Sequence, residues 1–186
     1  MSKNQSLAGK KVAILVADGF EQVELTEPRK ALEAAGAKTF VVSPQKDRVQ
    51  GFHHHDKGEK IDVDIPLEQA RAENFDALLL PGGVINPDAL RGIPRAVELV
   101  KEMGQAGKAI AAICHGPWTL IDAGLVRGRK MTSWPTLQTD LRNAGATWTD
   151  AEVVVDRGLV TSRKPDDIPA FNREAIKLFA HQPAGA

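Results

Sequence analysis

Three short, nearly unbroken apolar runs constrain this chain more than any other feature: residues 11–17 (KVAILVA), 75–83 (FDALLLPGG) and 108–113 (KAIAAI). Runs this short, apolar at successive positions, fit strands buried on both faces, as in a parallel sheet covered by helices. Residues 38–43 (KTFVVS) read as a further strand. Between the first run and this one, residues 18–36 (DGFEQVELTEPRKALEAAG) read as a turn leading into a helix that stops at Gly36, with Pro28 as a point of kinking. Strand, helix, strand in that order predicts a right-handed parallel crossover.

The rest of the chain continues the alternation. Residues 44–58 are polar and turn-rich and read as a loop. Residues 59–65 (EKIDVDI) alternate like an edge strand, with Asp62 and Asp64 on a solvated face. Helices are predicted over 94–105, 116–125 and 136–146. Residues 151–163 (AEVVVDRGLVTSR) predict a hairpin turning at Asp156-Arg157-Gly158. A last helix starts near 166–169, with Phe171, Ala175, Leu178 and Phe179 on one face. The pattern predicts an α/β three-layer sandwich with a mostly parallel, flavodoxin-like sheet. At 186 residues the chain suits one domain spanning 1–186.

Charge and composition exclude several functions. The 24 Lys and Arg balance the 24 Asp and Glu, so electrostatics offers no reason to expect nucleic acid or a membrane as partner. No apolar run nears the roughly 18 residues of a membrane span. The polar start lacks a secretory signal, and one cysteine cannot form an internal disulfide, which predicts a cytoplasmic setting. Pro81-Gly82-Gly83 is not followed by a phosphate-binding pattern, so no nucleotide or other cofactor is expected. His53-His54-His55 reads as a surface loop, not a metal site, because no Cys or carboxylate set completes the ligands.

In such folds, sites gather at the carboxyl ends of the strands. Three segments leave those ends: 17–21, 81–83 and 114–116. Cys114, the only cysteine, closes a strand and precedes a helix. A side chain there projects from a sharp turn, as in a nucleophile elbow. Gly116 leaves the backbone room, and Pro117 suits the first helical turn. The helix N-terminus is expected to lower the thiol pKa, and the turn's amides to bind an oxyanion. The alternative is a buried thiol packing as a small hydrophobe; the strand end, the helix start and adjacent His115 favour a reactive one.

The motifs AICHGPW, DALLLPGG, DGFEQVEL, GLVRGRKMTS and VVVDRGLVTSRKPDDIPAFNREAI together resemble the ThiJ/PfpI family, also called intracellular protease I, in its general-stress branch. That family lies within the class I glutamine amidotransferase-like superfamily and includes deglycase and glyoxalase III proteins. The resemblance implies that Cys114 is the nucleophile and His115 the general base. It implies that Glu24 contacts the sulfur as a protonated carboxyl, with Glu21 a second candidate. Gly83 and the backbone of His115 are the implied oxyanion donors. In hexameric members the acid paired with the histidine comes from an adjacent subunit. Asp88 matches it at a spacing one residue longer, and a helix cap is its equal alternative. Trp134 stands where many members place a pocket-lining Tyr, and packing is its preferred role. A homo-oligomer, dimer or larger, follows. The implied activity is a cysteine-dependent hydrolase, glyoxalase or deglycase acting on carbonyl compounds or peptides. The alternative is a redox-sensing or protective stress protein with an oxidisable Cys114.

Overall fold

The computed structural model describes residues 6–181. In chain order the elements are β1 (Lys11–Leu15), β2 (Phe20–Glu21), α1 (Gln22–Ala34), β3 (Lys38–Ser43), β4 (Arg48–His53), β5 (Asp56–Asp62), β6 (Ile65–Pro66), β7 (Ala77–Leu80), α2 (Ile85–Arg91), α3 (Pro94–Gln105), β8 (Ala109–Ile113), α4 (Pro117–Asp122), β9 (Lys130–Met131), α5 (Gln138–Asn143), β10 (Thr147–Trp148), β11 (Val154–Asp156), β12 (Leu159–Ser162) and α6 (Ile168–His181). Seven strands form the main sheet in the order β11-β12-β8-β7-β1-β3-β6. Every neighbouring pair in it is parallel except β11 with β12.

The apolar runs are explained by what covers each face. Ala13, Leu15, Leu78, Leu80, Ile110 and Ala112 pack with Leu90, Leu99, Val100, Met103 and Leu120 of α2, α3 and α4. The alternate residues Val12, Ile14, Leu79, Ala109, Ala111 and Ile113 pack on the opposite side with Leu25 and Leu32 of α1 and Phe171, Ala175 and Phe179 of α6. Both faces of each central strand are therefore apolar, which produces a continuous run in place of an alternating one. This is the α/β sandwich with a mostly parallel sheet that the pattern predicts.

Three local expectations need correction. Residues 44–58 are not a loop: β4 and β5 form an antiparallel hairpin, irregular between Gln50 and Phe52, and β2 adds to its edge through Phe20↔Gly51 and Glu21↔Phe52. Only Val49 and Gly51 of β4 are buried, so hydrophobic periodicity hides the strand. The helix α2 was not predicted as an element, only hinted at by the helix-cap alternative for Asp88; Pro87 falls in its first turn and seven residues are too few to show helical periodicity. Asp64 is more than a solvated charge: its carboxylate accepts the Val41 N–H at 2.8 Å and so completes the ladder of β3. Asp62 stays at the surface, paired with Arg48 at 2.9 Å. The β11–β12 turn is Arg157-Gly158, with φ of 42° and 84°, the doubly left-handed form that suits a two-residue hairpin.

Candidate functional site

The carboxyl ends of β1, β7 and β8 converge on Cys114. Its φ is +62°, a left-handed conformation that a side chain rarely adopts. The surroundings hold it there: its N–H donates to the Ser162 carbonyl at 3.0 Å, and its carbonyl accepts the Trp134 N–H at 2.9 Å. Gly116 completes the turn; a Cβ there would lie 2.6 Å from the Leu80 carbonyl oxygen, so only glycine lets the chain pass. The turn swings the His115 ring back, placing Nδ1 3.2 Å from Sγ although the two residues are adjacent in sequence. The ring stacks on Trp134 (5.8 Å, 23°) and meets the edge of Trp118 (5.1 Å).

Glu24, in the first turn of α1, is wholly buried beside the thiol. Its Oε1 accepts the Gly82 N–H at 3.0 Å, while Oε2 has no hydrogen-bond partner among the described residues. Burial pushes this carboxyl up from 4.5 to about 8, and the charge of Glu21 pushes the same way; the Gly82 amide only partly offsets them. The carboxyl therefore keeps its proton at neutral pH. Burial also pushes the Cys114 thiol up, as does the neighbouring Glu24, against a downward pull from the amides of Gly83 and His115. The expected lowering by a helix N-terminus is thus outweighed: α4 has only six residues, and dehydration of the thiolate wins. Burial pulls His115 down from 6.5 to about 4, leaving a neutral imidazole able to take a proton.

Glycine at 82 and 83 is a steric requirement. A Cβ on Gly82 would sit 2.7 Å from the Cys114 Cβ and 2.8 Å from Glu24 Oε1. Gly83 has φ +73°, and a Cβ there would lie 2.6 Å from the Gly19 carbonyl oxygen. Sequence reasoning missed Asn86, buried in α2, which bonds to Ala17, Pro81 and Gly82. Nothing in its local sequence marks it, since its partners lie on other elements.

The cleft above the thiol measures about 310 Å3 and is walled by Glu21, Phe52, His54, His55, Val84, Ile85, Trp134 and Pro165. Trp134 therefore lines the cleft as well as packing on His115. Glu21 faces the cleft and its carboxylate accepts the His54 N–H at 3.1 Å, tying the β4–β5 turn to the start of α1. His54 and His55 are exposed, as expected of a surface turn, and they stand on the cleft wall. Asp88 is exposed on α2 and does not line the cleft of its own chain. Among the described residues no three His, Cys, Asp or Glu side chains group as metal ligands. The arrangement joins a thiol, a neutral base, two backbone donors and a neutral carboxyl in one water-poor corner. Those are the parts needed to add sulfur to a carbonyl carbon.

Comparison with known proteins agrees with this architecture. The model of the DJ-1/PfpI family matches residues 10–178. A deglycase of Thermococcus kodakarensis is 45% identical over 169 residues, covering 91% of this chain and 99% of that protein. Protein/nucleic acid deglycase 2 of Escherichia coli is 45% identical over 173 residues, covering 91% and 98%. Among solved structures, a two-domain protein with DJ-1/ThiJ/PfpI-like and ferritin-like domains from Anabaena variabilis superposes with a TM-score of 0.85 at 36% identity, over 90% of this chain and 47% of that one. The chain belongs to the DJ-1/PfpI family.

Proposed function

We propose that this protein is a cysteine-dependent enzyme of the deglycase and hydrolase type, acting on carbonyl carbon. One observation carries the reading: Sγ of Cys114 lies 3.2 Å from a neutral imidazole nitrogen in a strained strand-to-helix turn, a nucleophile elbow, beside the Gly83 amide. The naming of relatives at 45% identity as deglycases supports it.

In the proposed chemistry the thiol sulfur attacks the carbonyl carbon while its proton moves to His115 Nδ1. The carbonyl π electrons move onto oxygen, which the amides of Gly83 and His115 hold. His115 returns the proton to the oxygen or to the departing amine. With a peptide, expulsion of the amine leaves an acyl–sulfur bond; with methylglyoxal, the hemithioacetal C–H proton moves to the adjacent ketone carbon by way of an enediol, giving a lactoyl–sulfur bond. In either case water cleaves that bond, releasing the acid and restoring the thiol. Glu24, neutral at pH 7, donates its proton as a hydrogen bond to the developing thiolate without repelling it. Glu21 holds the cleft wall, and Trp134 bounds the substrate.

Val84 and Ile85 are 52% and 58% exposed at the cleft mouth, with Asp88 on the same short helix. A second copy could cover this patch, and the family resemblance would then make that copy's Asp88 the acid for His115, so the proposed working form is a dimer or larger oligomer. A cytoplasmic stress-protective role fits the single cysteine, and no described helix is long and apolar enough to cross a membrane. The cleft lies near the lower limit of small-molecule pockets, ~300 Å3, which favours small carbonyl substrates over folded proteins. The test is a turnover panel of methylglyoxal and an unfolded peptide. Faster consumption of methylglyoxal is expected; no consumption of either above buffer overturns the proposal.

Oxidation sensing is the second reading, favoured by the unpartnered Glu24 Oε2 beside the thiol and by the lack of a second cysteine. Intact mass after mild peroxide decides it: an added pair of oxygens on Cys114 supports sensing, and an unmodified thiol removes it.

A further inference from the structure

Asn86 is a wholly buried polar side chain just behind the cleft. Its Nδ2 donates to two consecutive carbonyls, Pro81 at 3.1 Å and Gly82 at 3.0 Å. Its Oδ1 accepts the Ala17 N–H at 2.7 Å, which decides the orientation of the amide. No cis peptide occurs among the described residues. In a trans peptide, N–H and C=O of one plane point in opposite directions. Drawing the carbonyls of Pro81 and Gly82 towards Asn86 therefore turns the N–H groups of Gly82 and Gly83 the other way. That way lies the reacting corner: the Gly82 N–H donates to Glu24 Oε1 at 3.0 Å, and the Gly83 amide favours the charged forms of Glu24 and Cys114. Two adjacent glycines leave these planes little intrinsic preference, so the aim has to be imposed from outside.

We infer that Asn86 is a positioning residue for oxyanion binding, fixing the two peptide planes after β7 so that the Gly82 N–H holds Glu24 and the Gly83 N–H faces a carbonyl held over Cys114. The inference rests on the proposed roles of Cys114 and Gly83. Its physical content is preorganisation: donors already aimed need no reorientation as charge develops on the oxygen.

The test uses the full-length variants Asn86→Ala and Asn86→Asp, the second keeping the shape while losing the paired donors. Two quantities are measured: kcat and KM for methylglyoxal, and the rate of Cys114 alkylation by iodoacetamide against pH. Loss of a whole oxyanion donor costs about 10²–10³ in kcat. A misaimed one is expected to cost about 10- to 100-fold, with KM changed less than about threefold. Alkylation is expected to slow and its profile to move to higher pH, because the Gly83 amide no longer favours the thiolate. A merely loosened fold moves alkylation the opposite way, since an exposed thiol reacts faster. Wild-type kcat and alkylation in folded variants overturn the inference. Failure of both variants to fold also overturns it, by assigning Asn86 to stability alone. Cys114→Ala, run in parallel, separates the two claims. Full turnover in Cys114→Ala removes the nucleophile, whereas Cys114-dependent turnover with an unshifted Asn86→Asp profile removes only the positioning role.

Discussion

Burial acts on Glu24 and His115 in opposite directions, and together they set the pH window of the site. His115, held down to about 4, becomes protonated only in acid. Turnover should therefore persist below the ordinary histidine range and fall as pH drops towards about 4. Glu24 ionises at about 8, which places a carboxylate beside the sulfur, so the rate should break near that pH. Glu24→Gln keeps a neutral hydrogen-bonding group and should lose the upper break in a kcat/KM profile. Stability follows by linkage. Folded Glu24 keeps a proton that the unfolded chain releases above 4.5, so its contribution is complete below 4.5 and is lost as pH rises towards about 8. Glu24→Gln should accordingly raise the melting temperature most at and above about pH 8, by roughly 2–4 °C per kcal/mol recovered; an equal shift at all pH values would contradict this. Cys114 and His115 were legible as residue types at a strand end. Asn86 was not, because its value lies in two carbonyls and an amide that meet it only in the fold.

The β4–β5 hairpin and the glycine turn after β7 shape the cleft. At the hairpin tip Glu21 accepts the His54 N–H, while Gln22 accepts the Glu59 N–H at 2.7 Å farther along β5. Glu21→Ala should speed amide exchange at His54 and raise KM several-fold while changing kcat less than about twofold; Glu21→Gln keeps the acceptor and should restore both. Unchanged exchange in Glu21→Ala would remove the latch. For the glycine turn, two sites with similar φ separate conformation from contact. Gly107, at φ +71° with nothing within 4 Å of an added Cβ, should tolerate alanine at about 1–2 kcal/mol. Gly83, at φ +73° with the Gly19 carbonyl oxygen at 2.6 Å, should lose clearly more in a denaturant melt. Buried helices and strands such as α3 and β8 were readable because their apolar spacing matches the elements that cover them. The hairpin was readable only in part: residues 59–62 of β5 fall within the predicted edge strand, while β4 went unread because its pairing with β2 and β5 supplies what its polar composition lacks.

Across the whole molecule, helices α1 and α6 close one face of the sheet and α2, α3 and α4 the other. Phe179→Ala opens a fully buried position and should cost ~3–5 kcal/mol in a chemical melt. Val84→Ser with Ile85→Ser lies on exposed surface and should leave the melt nearly unchanged while shifting sedimentation towards the monomer. A parallel sheet with two apolar faces could be read from the runs at β1, β7 and β8. The strand order, which brings β7 between β1 and β8 and so Glu24 and Gly83 onto Cys114, is set by packing between distant segments. In the proposed chemistry this convergence makes Cys114 the nucleophile. Methylglyoxal turnover by wild type and Cys114→Ala, at matched concentration with both shown folded by circular dichroism, tests it most directly. The variant is expected to fall to the buffer rate; turnover at the wild-type rate would contradict a nucleophilic Cys114.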